Sequence, residues 1–217
     1  MEQVRLFADR ARPRRILALG AHSDDIEIGC GGTILRLVAE RSDVEALWVV
    51  FCATAERAAE AQASADAFLE GVSSANVVIR DYRDAFLPYS GSAVKEEFER
   101  LKREFSPDLV FTHYREDRHQ DHRLISDLTW NTWRDHLILE YEVPKYDGDL
   151  GAPNFFSALS TVDLERKIDL LFRHFPSQTT HEWFSADLFR AMARIRGMEC
   201  NAAERFAEAF YCRKARF

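Results

Sequence analysis

Apolar runs and amphipathic stretches alternate along the first two-thirds of the chain. Ile16-Leu17-Ala18-Leu19-Gly20 is a short uninterrupted apolar run, the pattern of a strand buried on both faces. Residues 44–52, 76–80, 108–112 and 137–143 repeat it, the last ended by Pro144. Between them, helical periodicity runs from Thr33 through Ile34, Leu35, Leu37 and Val38 to about residue 41. Residues 55–69, rich in Ala, Glu and Gln, form a second helix with Gly71 placed to close it. Residues 92–105 make a third, broken by Ser106-Pro107, and 122–135 a fourth. Strands alternating with helices predict an α/β, Rossmann-like fold. Its sheet is expected to be mainly parallel and five-stranded, in the order 3-2-1-4-5, with helices on both faces. Beyond Pro144 the rhythm changes. Residues 145–154, with Gly148, Gly151 and Pro153, read as a long loop, 161–174 and 185–196 as helices, and 207–211 as a final strand. That gives a C-terminal helical and strand extension within one expected domain, 1–217.

Composition narrows the class. With 217 residues, 47% hydrophobic and 30% charged, this is a globular pattern. A chain of this length buries roughly 70% of its unfolded surface without needing cross-links. A net charge of -7 argues against nucleic acid as a partner, because phosphate binding needs a basic face. The basic run Arg213-Lys214-Ala215-Arg216 reads as a solvated end. Near the N-terminus, Arg5, Asp9, Arg10, Arg12, Arg14 and Arg15 stand where a signal peptide would be apolar. No window approaches the roughly 18 apolar residues of a transmembrane helix. Cys30, Cys52, Cys200 and Cys212 form no CxxC unit and are expected to be reduced and mostly buried. A cytoplasmic enzyme with no transmembrane segment is the expectation.

Two polar clusters carry the chemistry. Ala21-His22-Ser23-Asp24-Asp25 follows the first strand and His119-Gln120-Asp121-His122 follows the fourth. In open parallel sheets, ligands bind beyond the carboxyl ends of the strands. Adjacent carboxylates repel unless a cation neutralises one, so Asp24-Asp25 beside a histidine suggests a divalent metal. His22 and Asp25, three apart, can face one side of a tight turn while Asp24 points towards a water. Gly29-Cys30-Gly31-Gly32 is a poor nucleotide loop, since acidic residues stand where a pyrophosphate would lie and the Walker lysine is missing. Those glycines instead suit close packing before the Thr33 helix. In the second cluster, one of His119 and His122 can ligate while the other works on substrate, and a neighbouring carboxylate can hold the imidazole. Whether His113 and Asp117 ligate or brace the loop stays open on the residues alone.

The two segments resemble the PIG-L/LmbE family of zinc-dependent N-acetylglucosaminyl deacetylases. Its first motif is AHPDDE followed by GGT, and its second HxxDxHPDH. Here Ala21-His22-Ser23-Asp24-Asp25-Ile26-Glu27 with Gly31-Gly32-Thr33 matches the first, and His113 to His122 the second. The resemblance implies His22, Asp25 and His122 as metal ligands and Asp24 as general base. It implies His119 as the imidazole that polarises the acyl oxygen, with Asp121 orienting and charging it. Arg57 corresponds to the family's substrate-contacting arginine and Asp84 to its sugar-hydroxyl-binding acid. Ser177-Gln178 resembles a late Ser-Gln element that brings Gln178 to the site. Ser23 and Gln120 replace two motif prolines, which supply rigidity rather than chemistry.

The implied reaction is metal-dependent hydrolysis of an N-acetyl group on an amino sugar or its conjugate. The metal lowers the pKa of a bound water, and Asp24 takes its proton. Two imidazoles and one carboxylate suit Zn²⁺ and tolerate Fe²⁺ or Co²⁺. The same ligands also describe non-haem iron oxygenases, which normally sit in β-barrels, and a non-catalytic sugar-binding relative is the other rival. The aromatic residues between Trp130 and Phe189 are expected to be core or subunit interface, which leaves a homo-oligomer open. The 145–154 loop and Gln178 are expected to set which conjugate is accepted.

Overall fold

The computed structural model describes residues 14–41 and 43–216. The charged stretch from Arg5 to Arg12 lies outside them. In chain order the elements are β1 (Arg14–Gly20), α1 (Asp25–Glu40), β2 (Val44–Val50), α2 (Ala55–Phe68) and β3 (Ser74–Ile79). Then come α3 (Gly91–Glu104), β4 (Leu109–His113), α4 (Gln120–Thr132) and β5 (Leu137–Tyr141). The chain ends with β6 (Phe155–Leu159), α5 (Thr161–His174), α6 (Ala186–Glu199) and β7 (Phe206–Cys212).

The expected order of the first five strands is present, all parallel, but the sheet continues: β3-β2-β1-β4-β5-β7-β6. β7 runs antiparallel to β5, and β6 antiparallel to β7. The five-stranded expectation is therefore corrected to seven. Alternation along β1 explains why both faces are covered. Ile16 and Ala18 join a core formed with α1, α2, α5 and α6, while Leu17 and Leu19 join a second core with α3 and α4. α3 supplies Val94, Phe98 and Leu101 to that second core at helical spacing.

α1 corrects the reading of the glycines. It begins at Asp25, not Thr33, and encloses Gly29, Gly31 and Gly32. Glycine costs a helix about 1 kcal/mol relative to alanine, and here tertiary packing offsets that. A Cβ on Gly29 would lie 2.1 Å from the Tyr141 ring, and one on Gly31 would lie 2.6 Å from Phe68. The glycines do serve close packing, but inside the helix. Gly29→Ala is expected to destabilise the protein by about 1–3 kcal/mol through overpacking. Gly91→Ala, whose added carbon meets nothing within 4 Å, is the matched control, and urea unfolding of both variants checks the difference.

The C-terminal basic run is also not simply solvated. Arg213 clasps the fully buried Glu140 carboxylate at 2.6 and 3.0 Å, and the Lys214 ammonium lies over the Trp130 ring. Of the tail aromatics, Trp133, Tyr141, Phe175, Phe184 and Phe189 are buried and Trp130, Phe155 and Trp183 pack partly buried against the core, whereas Tyr146 and Phe172 are exposed. Cys30 and Cys52 are buried, Cys200 and Cys212 half-buried, and all four are free thiols. Among the described residues, no helix is long and apolar enough to cross a membrane.

Candidate active site

Because β1 and β4 are neighbours, in register from Ile16 beside Leu109 to Ala18 beside Phe111, their carboxyl ends bring the two clusters together. The turn after β1 is pinned by backbone. Cys52 N–H donates to the Ala21 carbonyl, Ala21 N–H donates to His113 Nε2 at 2.9 Å, and His22 N–H donates to Asp25 Oδ2 at 2.6 Å. His22 Nδ1 then lies 3.1 Å from His122 Nε2 and 3.3 Å from Asp25 Oδ2. His122 Nε2 lies 3.5 Å from Asp25 Oδ1. Donors set tetrahedrally about 2.1 Å from one ion are about 3.4 Å apart, so the two imidazole nitrogens and the Asp25 carboxylate, through one oxygen or the other, have the spacing of a shared cation.

The electrostatics agree with that spacing. Burial, with His113 stacked 3.8 Å away, pushes the His122 imidazole down to about 4, so it is neutral. Its Nδ1 faces Asp117 Oδ2 at 2.9 Å, which places the proton on Nδ1 and leaves the Nε2 lone pair aimed at the cluster. His22 behaves oppositely. Burial alone lowers it, but Asp25, Asp121 and Asp84 outweigh burial and raise it well above the ordinary range. Burial alone would raise Asp25, yet the His122, His113 and His22 imidazoles hold it well below the usual carboxylate range. The cluster is a cage that favours positive charge. His113 is fully buried with its Nε2 engaged by the Ala21 amide, a bracing position. Asp25, His113 and His122 also form a close donor set, as do His22, His119 and His122.

Asp24 sits at the N-cap of α1, almost fully buried. Its Oδ1 is 3.1 Å from Arg57 Nη2, and its Oδ2 is buried without a hydrogen-bond partner. Burial, with repulsion from Asp25, raises its pKa against the pull of Arg57. Arg57 is both an i,i+3 partner of Glu60 at 3.1 Å and a site residue through Asp24. Its Nη1 also donates to Ser177 Oγ at 3.1 Å. Gln178 donates to that same hydroxyl at 3.0 Å, so it joins the site through Ser177 and Arg57.

One expected pairing is replaced. Asp121 does not hydrogen-bond the His119 ring through its carboxylate. Its oxygens accept from the backbone N–H groups of Ala85 (2.7 Å) and Leu87 (3.1 Å), and Oδ2 lies 3.4 Å from His22 Nε2. The cause is helix capping. His119 is the N-cap of α4, and its Nδ1 accepts the Asp121 N–H at 3.3 Å, so backbone meets the ring where the carboxylate was expected. His119 is lowered by burial and by His22 beside it. Asp84, mostly exposed, lies with Oδ1 3.0 Å from His22 Nε2, at the rim of the cluster.

The family model described as PIG-L, GlcNAc-PI de-N-acetylase, matches residues 17–133, a span that contains both clusters and more than half of the chain. The chain belongs to the PIG-L family. Solved structures extend the likeness of fold well past the PIG-L match. The N,N'-diacetylchitobiose deacetylase of Pyrococcus horikoshii is 24% identical, with a TM-score of 0.70, over 91% of this chain and 82% of that one. The 4-carboxy-2-hydroxymuconate hydratase GalB of Pseudomonas putida is 16% identical, with a TM-score of 0.75, over 94% and 98%. The A40926 pseudoaglycone deacetylase is 19% identical, with a TM-score of 0.67, over 96% and 100%.

Outside the PIG-L motifs, sequence reasoning missed Lys145. Its Nζ lies 2.8 Å from Asp117 Oδ2 and 2.6 Å from Asp149 Oδ2, and Asp149 accepts Arg118 N–H at 2.7 Å. The 145–154 loop is thus tied to the carboxylate that orients His122. Burial pushes Asp117 up, but His122, His113 and Lys145 hold it below the ordinary range. Lys145→Met is expected to weaken divalent-metal affinity about 10–100-fold, measured by competition with a chelating dye, with Lys145→Arg recovering most of the loss. Glu27 was also missed as a buried acid. Burial raises it to about 8, and Ser64 Oγ–H donates to it at 2.6 Å.

Proposed function

We propose that this chain is a metal-dependent N-deacetylase acting on an N-acetylated amino sugar or its conjugate, with residues 1–217 forming one domain. The observation that carries the reading is the convergence of His22 Nδ1, Asp25 and His122 Nε2 beside the unpartnered, buried Oδ2 of Asp24. Membership of the PIG-L family and fold likeness to two deacetylases support it. A divalent ion at those three donors, Zn²⁺ with Fe²⁺ or Co²⁺ tolerated, supplies Lewis acidity and lowers the pKa of a water towards about 7. Arg57 holds Asp24 Oδ1, which leaves Oδ2 free to accept the water's proton as the amide carbonyl is attacked. With Nδ1 accepting from the Asp121 amide, neutral His119 carries its proton on Nε2, and that N–H donates a hydrogen bond to the developing oxyanion. Such a donor is typically worth about 3 kcal/mol. Asp24 then returns a proton to the departing amine. Asp84 at the rim binds sugar hydroxyls, and Arg57 with Gln178 borders the substrate side. Family membership and the parallel sheet favour hydrolysis over the non-haem iron reading, and the poised Asp24 favours an enzyme over a non-catalytic binder.

Acetate release from N-acetylated monosaccharides, nucleotide sugars and glycosyl-lipid or antibiotic precursors tests the proposal. An enol acid of the kind a hydratase would take belongs in the same panel. Acetate release from at least one sugar, abolished by a chelator and restored by metal, is expected. Hydration of the enol acid with no acetate from any sugar would overturn the reading.

A further inference from the structure

His22 presents its two ring nitrogens to two different sets of donors. Nδ1 faces Asp25 and His122. Nε2 faces Asp84 Oδ1 at 3.0 Å and Asp121 Oδ2 at 3.4 Å, with Cys52 Sγ beside them. One donor atom each from His22, Cys52 and Asp121 lie within 4.8 Å of one another. Despite the short distances, His22 Nε2 has no well-aligned hydrogen-bond partner. Cys52 is buried, its thiol only weakly engaged with the Arg83 carbonyl at 3.9 Å. Its position follows from the sheet. β2 ends beside β1, and the Cys52 N–H bonds the Ala21 carbonyl, one residue before His22. Asp121 is fully buried and already fixed by two backbone amides, so that ligand is pre-positioned.

We propose that His22 Nε2, Cys52 and Asp121, with Asp84 as a fourth donor from the rim, form a second cation position selective for thiophilic divalent ions. Soft thiolate ligands select zinc-like and softer metals, and nothing in the hydrolytic set supplies sulfur. Binding forms a sulfur–metal bond and releases the Cys52 thiol proton to solvent, because a coordinating thiol is deprotonated. The two positions are alternatives. A neutral imidazole has one lone pair, so a cation on Nε2 requires the proton on Nδ1, from where it is donated to Asp25 Oδ2, 3.3 Å away. The hydrolytic position then loses His22. An ion at Cys52 also withdraws Asp84 from the rim. Occupation of the second position therefore inhibits. Binding there is independent of the proposed reaction, whereas the inhibition rests on it.

The test is a Cd²⁺ titration of protein carrying one equivalent of Zn²⁺, with near-ultraviolet thiolate-to-metal absorption and acetate release followed together. In the wild type, the band is expected to rise as the rate falls, at one midpoint. In Cys52→Ser the band is lost, although Cys30, Cys200 and Cys212 remain. The inhibition midpoint, read as a fraction of that variant's own rate, rises by at least about tenfold, as removal of a ligand demands. A ¹¹³Cd resonance in the sulfur-ligated range from the wild-type protein checks the site without any substitution. An undiminished band in Cys52→Ser, or a wild type inhibited with no band and no sulfur-shifted resonance, would overturn the proposal. A protein that shows the band but releases no acetate from any sugar keeps the second cation position and refutes the deacetylase reading.

Discussion

Replacing Asp24 with Asn is expected to lower turnover by about 10²–10⁴-fold while metal content stays at the wild-type level. The substitution preserves shape and one oxygen for Arg57, but removes the group that takes a proton from water. The oxygen that takes the proton, Asp24 Oδ2, has no hydrogen-bond partner to lose. KM should change little, since the carboxylate acts on the water rather than on the sugar. Steady-state kinetics with metal analysis of the same sample would check it. Full activity in a metal-replete Asp24→Asn protein would remove Asp24 from the role of base.

The second large effect is expected at His122. His122→Ala deletes a donor and removes the imidazole from Asp117, which keeps only Lys145 and the His119 amide among these partners. Losing a hydrogen bond to a buried charged group typically costs about 1.5–3 kcal/mol, so both metal affinity and stability should fall. Isothermal titration with Zn²⁺ is expected to show binding weakened by well over the roughly 100-fold limit of an outer-shell change. The companion variant His113→Gln separates ligand from brace. His113 Nε2 accepts the Ala21 amide, and glutamine offers a replacement acceptor, so metal binding should fall far less than in His122→Ala. Equal losses in the two variants would place His113 among the ligands.

The parallel half of the sheet was legible because each strand carries at least three consecutive apolar residues, from Val77-Val78-Ile79 in β3 to Ile16-Leu17-Ala18-Leu19 in β1. Helix α1 was half legible. Its glycines read as close packing ahead of a helix at Thr33, and only the Tyr141 and Phe68 rings packed against them explain a helix there, a contact between residues far apart in sequence. β6 was invisible for the same reason. Phe155–Leu159 has no alternation and is hydrogen-bonded to β7 alone. At the site, His22, Asp24, Asp25 and His122 were legible because their chemistry is concentrated in short motifs at strand ends. The family resemblance paired Asp121 with the His119 ring, whereas the N-cap geometry turns its carboxylate towards the 85–87 backbone. Cys52 and Lys145 carry no motif. Each becomes a site residue only through the β1–β2 neighbour relation or the return of the 145–154 loop.

The central claim is that His22, Asp25 and His122 share one cation. A crystal grown with one equivalent of Zn²⁺, measured on both sides of the zinc absorption edge, tests it most directly. The predicted result is an anomalous peak within about 2.1 Å of His22 Nδ1, an Asp25 oxygen and His122 Nε2. A peak ligated by His113 in place of His22, or no peak among these residues, would contradict it.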